Sequence, residues 1–188
     1  MPVKAFAAAK LRLAPALSGP ERAALARRMA HLVLTAAAPL PVVVVCDDPE
    51  VATWATDLGA EVLWCPERGL NGAVADGVAH LAARGHHHAV VAHADLPLAT
   101  SLGWVADFGG ITLVPDRTDD GTNVMALPLP AAAAFRFRYG PGSFARHHAE
   151  ARHLGLAVRV VRDPALGWDV DVPADLDFDR TTLDTPCR

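Results

Sequence analysis

The feature that most constrains the fold is an alternation of short apolar runs with helical patterns along the chain. Residues 42–46 and 89–92 are continuous apolar runs, which are typical of strands buried on both faces of a parallel sheet. Helical patterns alternate with these runs: one begins at Ser18, before the first run, with the spacing of a capping box, and residues 69–72 are predicted to form a turn before another. This alternation predicts an α/β fold with a mostly parallel central sheet and helices on both faces, in a single domain of residues 1–188.

The charge and composition of the chain exclude several classes of protein. It has 188 residues, 52% of them hydrophobic and 20% charged, which is inconsistent with a disordered chain. A formal net charge of −4 argues against a broad basic face for nucleic acid. No apolar run is long enough to predict a transmembrane helix, residues 1–6 lack the layout of a signal peptide, and Cys46, Cys65 and Cys187 fit neither a disulfide scaffold nor a zinc site. We therefore expect a cytoplasmic protein that binds neither membranes nor nucleic acid.

Three aspartates are predicted to lie where strands end. Asp95 follows the apolar run 89–92, and Asp169 and Asp171 alternate along an extended segment, so both point to the same face. Ligands of open α/β sheets bind beyond the carboxyl ends of the strands, and Mg²⁺ prefers carboxylate oxygens together with substrate phosphates. The pattern favours a magnesium site. The alternatives are a helix cap at Asp95 and a solvated strand face or helix cap at Asp169 and Asp171.

The two lysines of the chain, Lys4 and Lys10, belong to one N-terminal segment. They flank a loop after the first predicted strand, and Arg12 follows closely. Cationic side chains and backbone N–H groups together can hold a triphosphate, so this loop is a candidate for contacts with nucleotide phosphates. A solvated N-terminal segment is the alternative.

Three further segments combine glycine with polar side chains. Residues 120–123, Asp-Gly-Thr-Asn, lie between two predicted strands and offer a hydroxyl, an amide and backbone N–H groups to a phosphate or carboxylate. Two arginines and a glycine-rich turn precede Ser143, where a predicted helix begins, which favours an anion site. Residues 69–72, Gly-Leu-Asn-Gly, can reach a base or ribose through Asn71. The alternatives are an ordinary hairpin turn, a helix cap at Ser143 and a capped helix start.

Sequence motifs of dinucleotide binding, of P-loop NTPases and of serine hydrolases are absent, which leaves metal-assisted chemistry on phosphates. Taken together and in order, the segments of this chain resemble the phosphoenolpyruvate and 2-phospho-L-lactate guanylyltransferase family of coenzyme F420 biosynthesis. The resemblance is carried by Pro-Val-Lys at 2–4, Gly-Leu-Asn at 69–71, Ala-Asp-Leu-Pro at 94–97, Asp-Gly-Thr-Asn at 120–123, Arg-Tyr-Gly-Pro-Gly-Ser at 138–143 and Asp-Val-Asp-Val-Pro at 169–173.

The resemblance implies a Rossmann-like nucleotidyltransferase fold of the glycosyltransferase-A type, with GTP, Mg²⁺ and a three-carbon phospho-acid. The excess of alanine and of arginine over lysine, which is typical of high-G+C coding, favours phosphoenolpyruvate as that acid. The phosphate of the acid would attack the α-phosphorus of GTP and release pyrophosphate. The implied roles are metal ligation by Asp95, Asp169 and Asp171 and phospho-acid binding by Thr122, Gly140 and Ser143. From the position of the cationic loop and of residues 69–72 we infer, in addition, catalytic phosphate contacts by Lys4, Lys10 and Arg12 and nucleotide binding by Asn71 and Gly72. A downstream transferase is an expected partner. Another nucleotidyltransferase of the same fold and a non-catalytic nucleotide-binding protein remain as alternatives.

Overall fold

Strands and helices alternate along the chain as the sequence predicts. This computed structural model describes residues 1–129, 131 and 133–178; Cys187 lies outside them. The α-helices are α1 (Gly19–Ala36), α2 (Pro49–Asp57), α3 (Gly69–Ala83) and α4 (Ser143–His153). The strands are β1 (Val43–Cys46), β2 (Glu61–Trp64), β3 (His88–Ala92), β4 (Ile111–Pro115), β5 (Thr122–Pro128) and β6 (Val158–Val160). Short 3₁₀ helices cover Phe6–Ala8, Leu11–Leu13, Gly103–Ala106 and Pro173–Leu176. Among the described residues, no helix is both long enough and apolar enough to span a membrane.

The strands form two sheets. β1 and β2 are parallel, and the N-terminal residues lie beside β1 through a parallel bridge between Pro2 and Val45. The second sheet has the order β3-β5-β4-β6, in which β4 and β6 are parallel and β5 is antiparallel to β3 and β4. The direction of β5 follows from its connection, because residues 116–121 are too few for the crossover that joins parallel neighbours. The α/β class is confirmed, and β5 is an antiparallel member of the sheet.

Apolar layers cover both faces of the four-stranded sheet. Along β5, Met125 and Leu127 pack into a cluster with α3 and α4, whereas Val124 and Ala126 pack into a cluster with α1 and residues 96–105. This is the period of two that a strand requires when both of its faces are buried. Helices therefore cover both faces, as predicted.

Two buried side chains fix the N-terminal segment against the helices. Phe6 contacts Trp54 of α2 edge to face, with 5.3 Å between ring centroids. Leu13 is fully buried in a cluster with Leu25 and Met29 of α1. The backbone between these anchors includes Lys10, whose φ of 56° lies in the left-handed region. Burial at both ends thus holds a short cationic loop in a defined path.

The helix starts agree with the sequence at one position and differ at another. At α1, the backbone N–H of Ser18 donates to Glu21 at 2.8 Å, which confirms the capping box. The turn predicted at residues 69–72 is wrong, because α3 already begins at Gly69. The chain reverses at Glu67 and Gly69, which have φ values of 59° and 60°, so no separate turn is needed. Asn71 and Gly72 therefore lie in the first turn of a helix.

Candidate active site

A cleft of about 630 Å³ opens at the ends of β1 and β3 beside the N-terminal segment. Its apolar wall comes from Phe6, Leu11 and the first turn of α3. Its charged groups come from the loop after Val3 and from the strand ends; they are Lys4, Lys10, Arg12, Asp47, Asp95 and Asp171. The structure thus brings the predicted cationic loop to two of the three predicted metal ligands, although these groups are far apart in sequence.

Lys10 joins two of the predicted metal ligands. Its Nζ donates to Asp95 Oδ2 at 2.5 Å and to Asp171 Oδ1 at 3.0 Å. Burial opposes the charge on Lys10, but the carboxylates of Asp95 and Asp171 outweigh this and raise the pKa of Lys10 above its usual value. Burial also opposes ionisation of Asp95, and the charge of Lys10 lowers the pKa of Asp95 nevertheless. Both members of this pair therefore stay charged at neutral pH.

Asp169 lies beside the same cluster but is held differently. Its Oδ1 accepts a hydrogen bond from Asn123 Nδ2 at 3.3 Å, and Asn123 also donates to the carbonyl of Leu166 at 3.1 Å. Burial, and then the negative charge of Asp95, raises the pKa of the Asp169 carboxyl. A cation near Asp95 and Asp169 would remove this repulsion, so the electrostatics of the cluster favour a bound cation.

The segment that carries Asp171 is fixed by Asp175. Asp175 Oδ2 accepts hydrogen bonds from the backbone N–H groups of Asp171 and Val172, both at 2.8 Å. Its Oδ1 pairs with Arg117 at 2.5 Å, and the guanidinium of Arg117 lies 3.9 Å from the ring centre of Trp168. A single carboxylate therefore holds the backbone at Asp171, while Arg117 compensates its charge.

The carboxylate oxygens of this cluster are suitable ligands for a divalent cation. Asp95 Oδ1 is buried and meets no hydrogen-bond donor within the described ranges 1–129, 131 and 133–178. A buried carboxylate oxygen with no donor has a free lone pair for a metal. In the same residues, no three His, Cys, Asp or Glu side chains are grouped closely enough to hold a metal ion by themselves, and the ammonium of Lys10 lies between Asp95 and Asp171. Two carboxylates suffice for Mg²⁺ when phosphates supply other ligands.

The predicted phospho-acid residues form a second group next to this cleft. Asp120 connects two of the segments, since its Oδ1 accepts from Gly142 N at 2.9 Å and its carbonyl accepts from Phe144 N at 3.0 Å. Thr122 and Ser143 are 1% and 2% exposed, whereas Gly140 is exposed. The structure brings Thr122, Gly140 and Ser143 together at the start of α4. Their contact with a ligand stays a prediction.

Asn71 and Gly72 have contacts within the protein. Asn71 Oδ1 accepts from the backbone N–H of Tyr139 at 2.6 Å, which connects α3 to the loop before α4. A Cβ at Gly72 would lie 2.9 Å from Cβ of Arg68, so glycine leaves space for that side chain. Other residues of this helical turn, Leu70 among them, line the cleft. Nucleotide binding by Asn71 and Gly72 stays a prediction.

Several residues that line the cleft or hold its predicted metal ligands were not among the predicted site residues. His93 lines the cleft, its Nε2 is buried without a partner among the described residues, and its ring lies 5.0 Å from that of Tyr139. Cys46 and Asp47 line the cleft at the end of β1. The strand-end rule that found Asp95 could have found Cys46 and Asp47. The same rule places His93 near the site, but a lone histidine at a strand end is more often structural. The amide of Asn123 was predicted to face a phosphate or carboxylate ligand, and in the structure it donates to Asp169 and to the carbonyl of Leu166.

Comparison with known proteins gives the family of this chain. Residues 1–178 match the family described as "Guanylyl transferase CofC like". A phosphoenolpyruvate guanylyltransferase from Sphaerobacter thermophilus is 40% identical over 186 residues, covering 94% of this chain and 89% of its own length. Proteins of the same name from Chloroflexus aggregans (34% identical, 91% and 90% covered) and Conexibacter woesei (37% identical, 94% and 84% covered) are also similar.

Solved structures share the fold at low sequence identity. A putative nucleotide-diphospho-sugar transferase from Desulfovibrio desulfuricans G20 superimposes with a TM-score of 0.71 at 16% identity, covering 93% of this chain and 82% of the other. The CMP:2-keto-3-deoxy-manno-octonic acid synthetase, solved with CTP, gives a TM-score of 0.56 at 14% identity, with 94% and 93% covered. The α/β fold is thus that of nucleotidyltransferases. With the match over residues 1–178 and relatives up to 40% identical, the chain belongs to the CofC-like guanylyltransferase family.

Proposed function

We propose that this protein transfers GMP from GTP to the phosphate of a three-carbon phospho-acid within coenzyme F420 biosynthesis. Phosphoenolpyruvate is the first candidate for the acid and 2-phospho-L-lactate the second. The observation that carries the proposal is the junction of Lys10 with Asp95 and Asp171 on the wall of a 630 Å³ cleft. Such a junction suits a metal-bound triphosphate, and the names of the relatives support guanylyl transfer to phosphoenolpyruvate.

The proposed reaction needs no nucleophile from the protein. An oxygen of the acid's phosphate forms a bond to the α-phosphorus of GTP, and the bond from that phosphorus to the bridging oxygen breaks, so that pyrophosphate leaves. Both reactants are anions, and the barrier therefore includes their repulsion. The contribution of the chain is to align the reactants and to place positive charge beside the phosphates through Lys4, Lys10 and Arg12.

We further propose that Asp95 and Asp171, with Asp169 beside them, hold Mg²⁺. When bound, the ion supplies positive charge and Lewis acidity to the phosphates of the nucleotide. The free lone pair at Asp95 Oδ1 and the raised pKa of Asp169 support this assignment. Asp175 would then keep the backbone at Asp171 in place when the ion is bound.

The phospho-acid is proposed to bind where Thr122, Gly140 and Ser143 meet. The candidate acids differ by only a few atoms, and a pocket separates such compounds by about 1–3 kcal/mol unless a hydrogen bond is dedicated to one of them. The site therefore supports a three-carbon phospho-acid as the class of acceptor, and the names of the relatives support phosphoenolpyruvate as the preferred acid. The product would pass to a downstream transferase. The free thiols of Cys46 and Cys65 support a cytoplasmic location.

The proposal is tested by pyrophosphate release from GTP and Mg²⁺. Phosphoenolpyruvate, 2-phospho-L-lactate and 3-phospho-D-glycerate are supplied in parallel, and ATP and CTP replace GTP as controls. We expect release with GTP and phosphoenolpyruvate, and none without an acid. Faster release with CTP than with GTP would indicate a different nucleotidyltransferase activity, one that proteins of this fold also perform. No release with any pair would overturn the proposed activity.

A further inference from the structure

A buried histidine contacts Thr122, one of the three residues proposed to bind the phospho-acid. His147 is on α4, one helical turn after Ser143, and it is completely buried. Its Nδ1 lies 3.0 Å from Thr122 Oγ1. Its Nε2 accepts a hydrogen bond of 2.9 Å from the backbone N–H of Arg138, two residues before Gly140. One imidazole thus connects Thr122 to the segment that leads to Gly140.

The partners of His147 determine which of its nitrogens carries the proton. A backbone N–H can only donate, so Nε2 must be unprotonated to accept from Arg138. A neutral imidazole with a bare Nε2 has its proton on Nδ1, and this proton points to Thr122 Oγ1. Burial, and then the positive charge of Arg146, lowers the pKa of His147 to about 4, which keeps the ring neutral at pH 7.

The protonation of His147 fixes the direction of the Thr122 hydroxyl. Because Nδ1–H donates to Thr122 Oγ1, the hydroxyl acts as acceptor in this contact and its own proton is free for another acceptor. Within the described part of the chain, Thr122 Oγ1 has no hydrogen-bond partner other than His147. We propose that His147 is a positioning residue that presents the Thr122 hydroxyl as a hydrogen-bond donor to the phosphate or carboxylate of the phospho-acid, which rests on the proposed function of this subsite.

The surroundings of His147 support a fixed ring. The ring of Tyr139 meets it edge to face at 4.7 Å between centroids, and that of Phe135 lies at 5.8 Å. These contacts leave little space for the imidazole to turn over, so the two hydrogen bonds keep their direction. Thr122 and Ser143 are buried, whereas Gly140 is exposed.

Two amide substitutions, each matching the position of one ring nitrogen, separate the two hydrogen bonds of His147. His147→Asn retains an N–H donor at the δ position toward Thr122 and loses the acceptor for Arg138. His147→Gln retains an acceptor at the ε position and loses the donor toward Thr122. We expect His147→Gln to raise the KM for phosphoenolpyruvate roughly tenfold with an unchanged KM for GTP, the size of one hydrogen bond. We expect His147→Asn to lower the Tm more and the affinity for the acid less. His153→Gln, an exposed position on the same helix, is the matched control.

A merely structural role predicts a different pattern, in which the KM for the acid follows the Tm in both variants. That pattern, or an equal rise in the KM for GTP, would overturn the proposal. A Thr122→Val variant completes a double-mutant cycle: if His147 acts through the Thr122 hydroxyl, adding His147→Gln to Thr122→Val has no further effect on the KM. If the changes in KM of the two single variants instead added up in the double variant, His147 would not act through the Thr122 hydroxyl.

Nuclear magnetic resonance of ¹⁵N-labelled imidazole provides a readout that does not depend on turnover. We expect the Nδ1–H tautomer at pH 7, and the Nε2–H tautomer or an imidazolium would overturn the positioning role. Absence of turnover by the unmodified protein would instead overturn the proposed function, and with it the substrate role of Thr122. A correct tautomer together with normal turnover and an unchanged KM in His147→Gln would overturn this inference alone.

Discussion

Removal of the Lys10 ammonium tests the electrostatic design of the site directly. In Lys10→Met the side chain keeps its length and loses its charge, which leaves Asp95 without a partner for Oδ2, while Oδ1 already has none among the described residues. Removing one member of a buried ion pair costs about 3–5 kcal/mol. The Asp95 side chain retains 23% of its exposure, so the lower end, about 3 kcal/mol, applies. For a chain of this size, this corresponds to a fall in Tm of roughly 6–12 °C.

The pH dependence of the Lys10→Met defect follows from Asp95. In the unmodified protein the pKa of Asp95 is lowered on folding, so its contribution to stability is present above the unfolded pKa and lost as pH falls. Without Lys10, burial raises the folded pKa of Asp95 instead, so the penalty grows as pH rises above the unfolded value. We therefore expect a larger difference in Tm at pH 8 than at pH 5.

Magnesium provides the second arm of the same experiment. A ligand present at a hundred times its Kd stabilises a protein by about 2.7 kcal/mol, so Mg²⁺ at that level should recover most of the lost stability of Lys10→Met. The unmodified protein should gain less, because Lys10 competes for the same carboxylates. The assay is thermal unfolding with and without Mg²⁺, and Lys4→Met, an exposed lysine of the same cleft, is the matched control. A Tm within 2 °C of the unmodified protein in Lys10→Met, or an equal magnesium shift in both proteins, would refute the reasoning.

Three further substitutions address the remaining parts of the site. Asp171→Asn should remove most turnover in the pyrophosphate assay while the Tm changes little, because the carboxylate is half-exposed and its volume is kept; a normal rate at saturating Mg²⁺ contradicts the metal assignment. Ser143→Ala should raise the KM for the phospho-acid more than that for GTP in steady-state kinetics, and the reverse result would exchange the two subsites. Asp175→Asn should lower both turnover and Tm, because the new amide would direct an N–H donor toward the guanidinium of Arg117, which is itself a donor. A loss of about 2 kcal/mol corresponds to a fall in Tm of roughly 4–8 °C, and the turnover in the pyrophosphate assay should fall with it.

The order of strands and helices was predictable because continuous apolar runs and helix caps are local signals. The run at 42–46 and the capping box at Ser18 each required only a few neighbouring residues, and both are confirmed. The antiparallel direction of β5 needed a tertiary argument about the length of its connection. The start of α3 at Gly69 was not predicted, because a left-handed residue at Glu67 carries no signal in the sequence.

The site was predictable where residues follow parallel strands. Asp95 was placed by this rule, whereas Asp171 was found by the Asp-x-Asp alternation; the structure has no strand at residues 161–172, so the predicted strand end at Asp169 and Asp171 is wrong. Asp95 and Asp171 nevertheless meet at Lys10, 85 and 161 residues away along the chain. Residues that hold other residues were not predictable in this way. Asp175 and His147 act through contacts with backbone N–H groups, and a backbone donor has the same chemistry at every position. Only the folded geometry distinguishes these two from other polar residues.

The antiparallel direction of β5 explains why the rule missed Asn123. A strand that runs against its neighbours brings its first residues, not its last, to the edge where the parallel strands end. Thr122 and Asn123 open β5, and alternation turns their side chains to opposite faces of the sheet. Thr122 accordingly meets His147 on one side, while Asn123 holds Asp169 on the other. Two adjacent residues thus connect the proposed phospho-acid and metal subsites through the backbone, so a change of register in β5 would displace both at once.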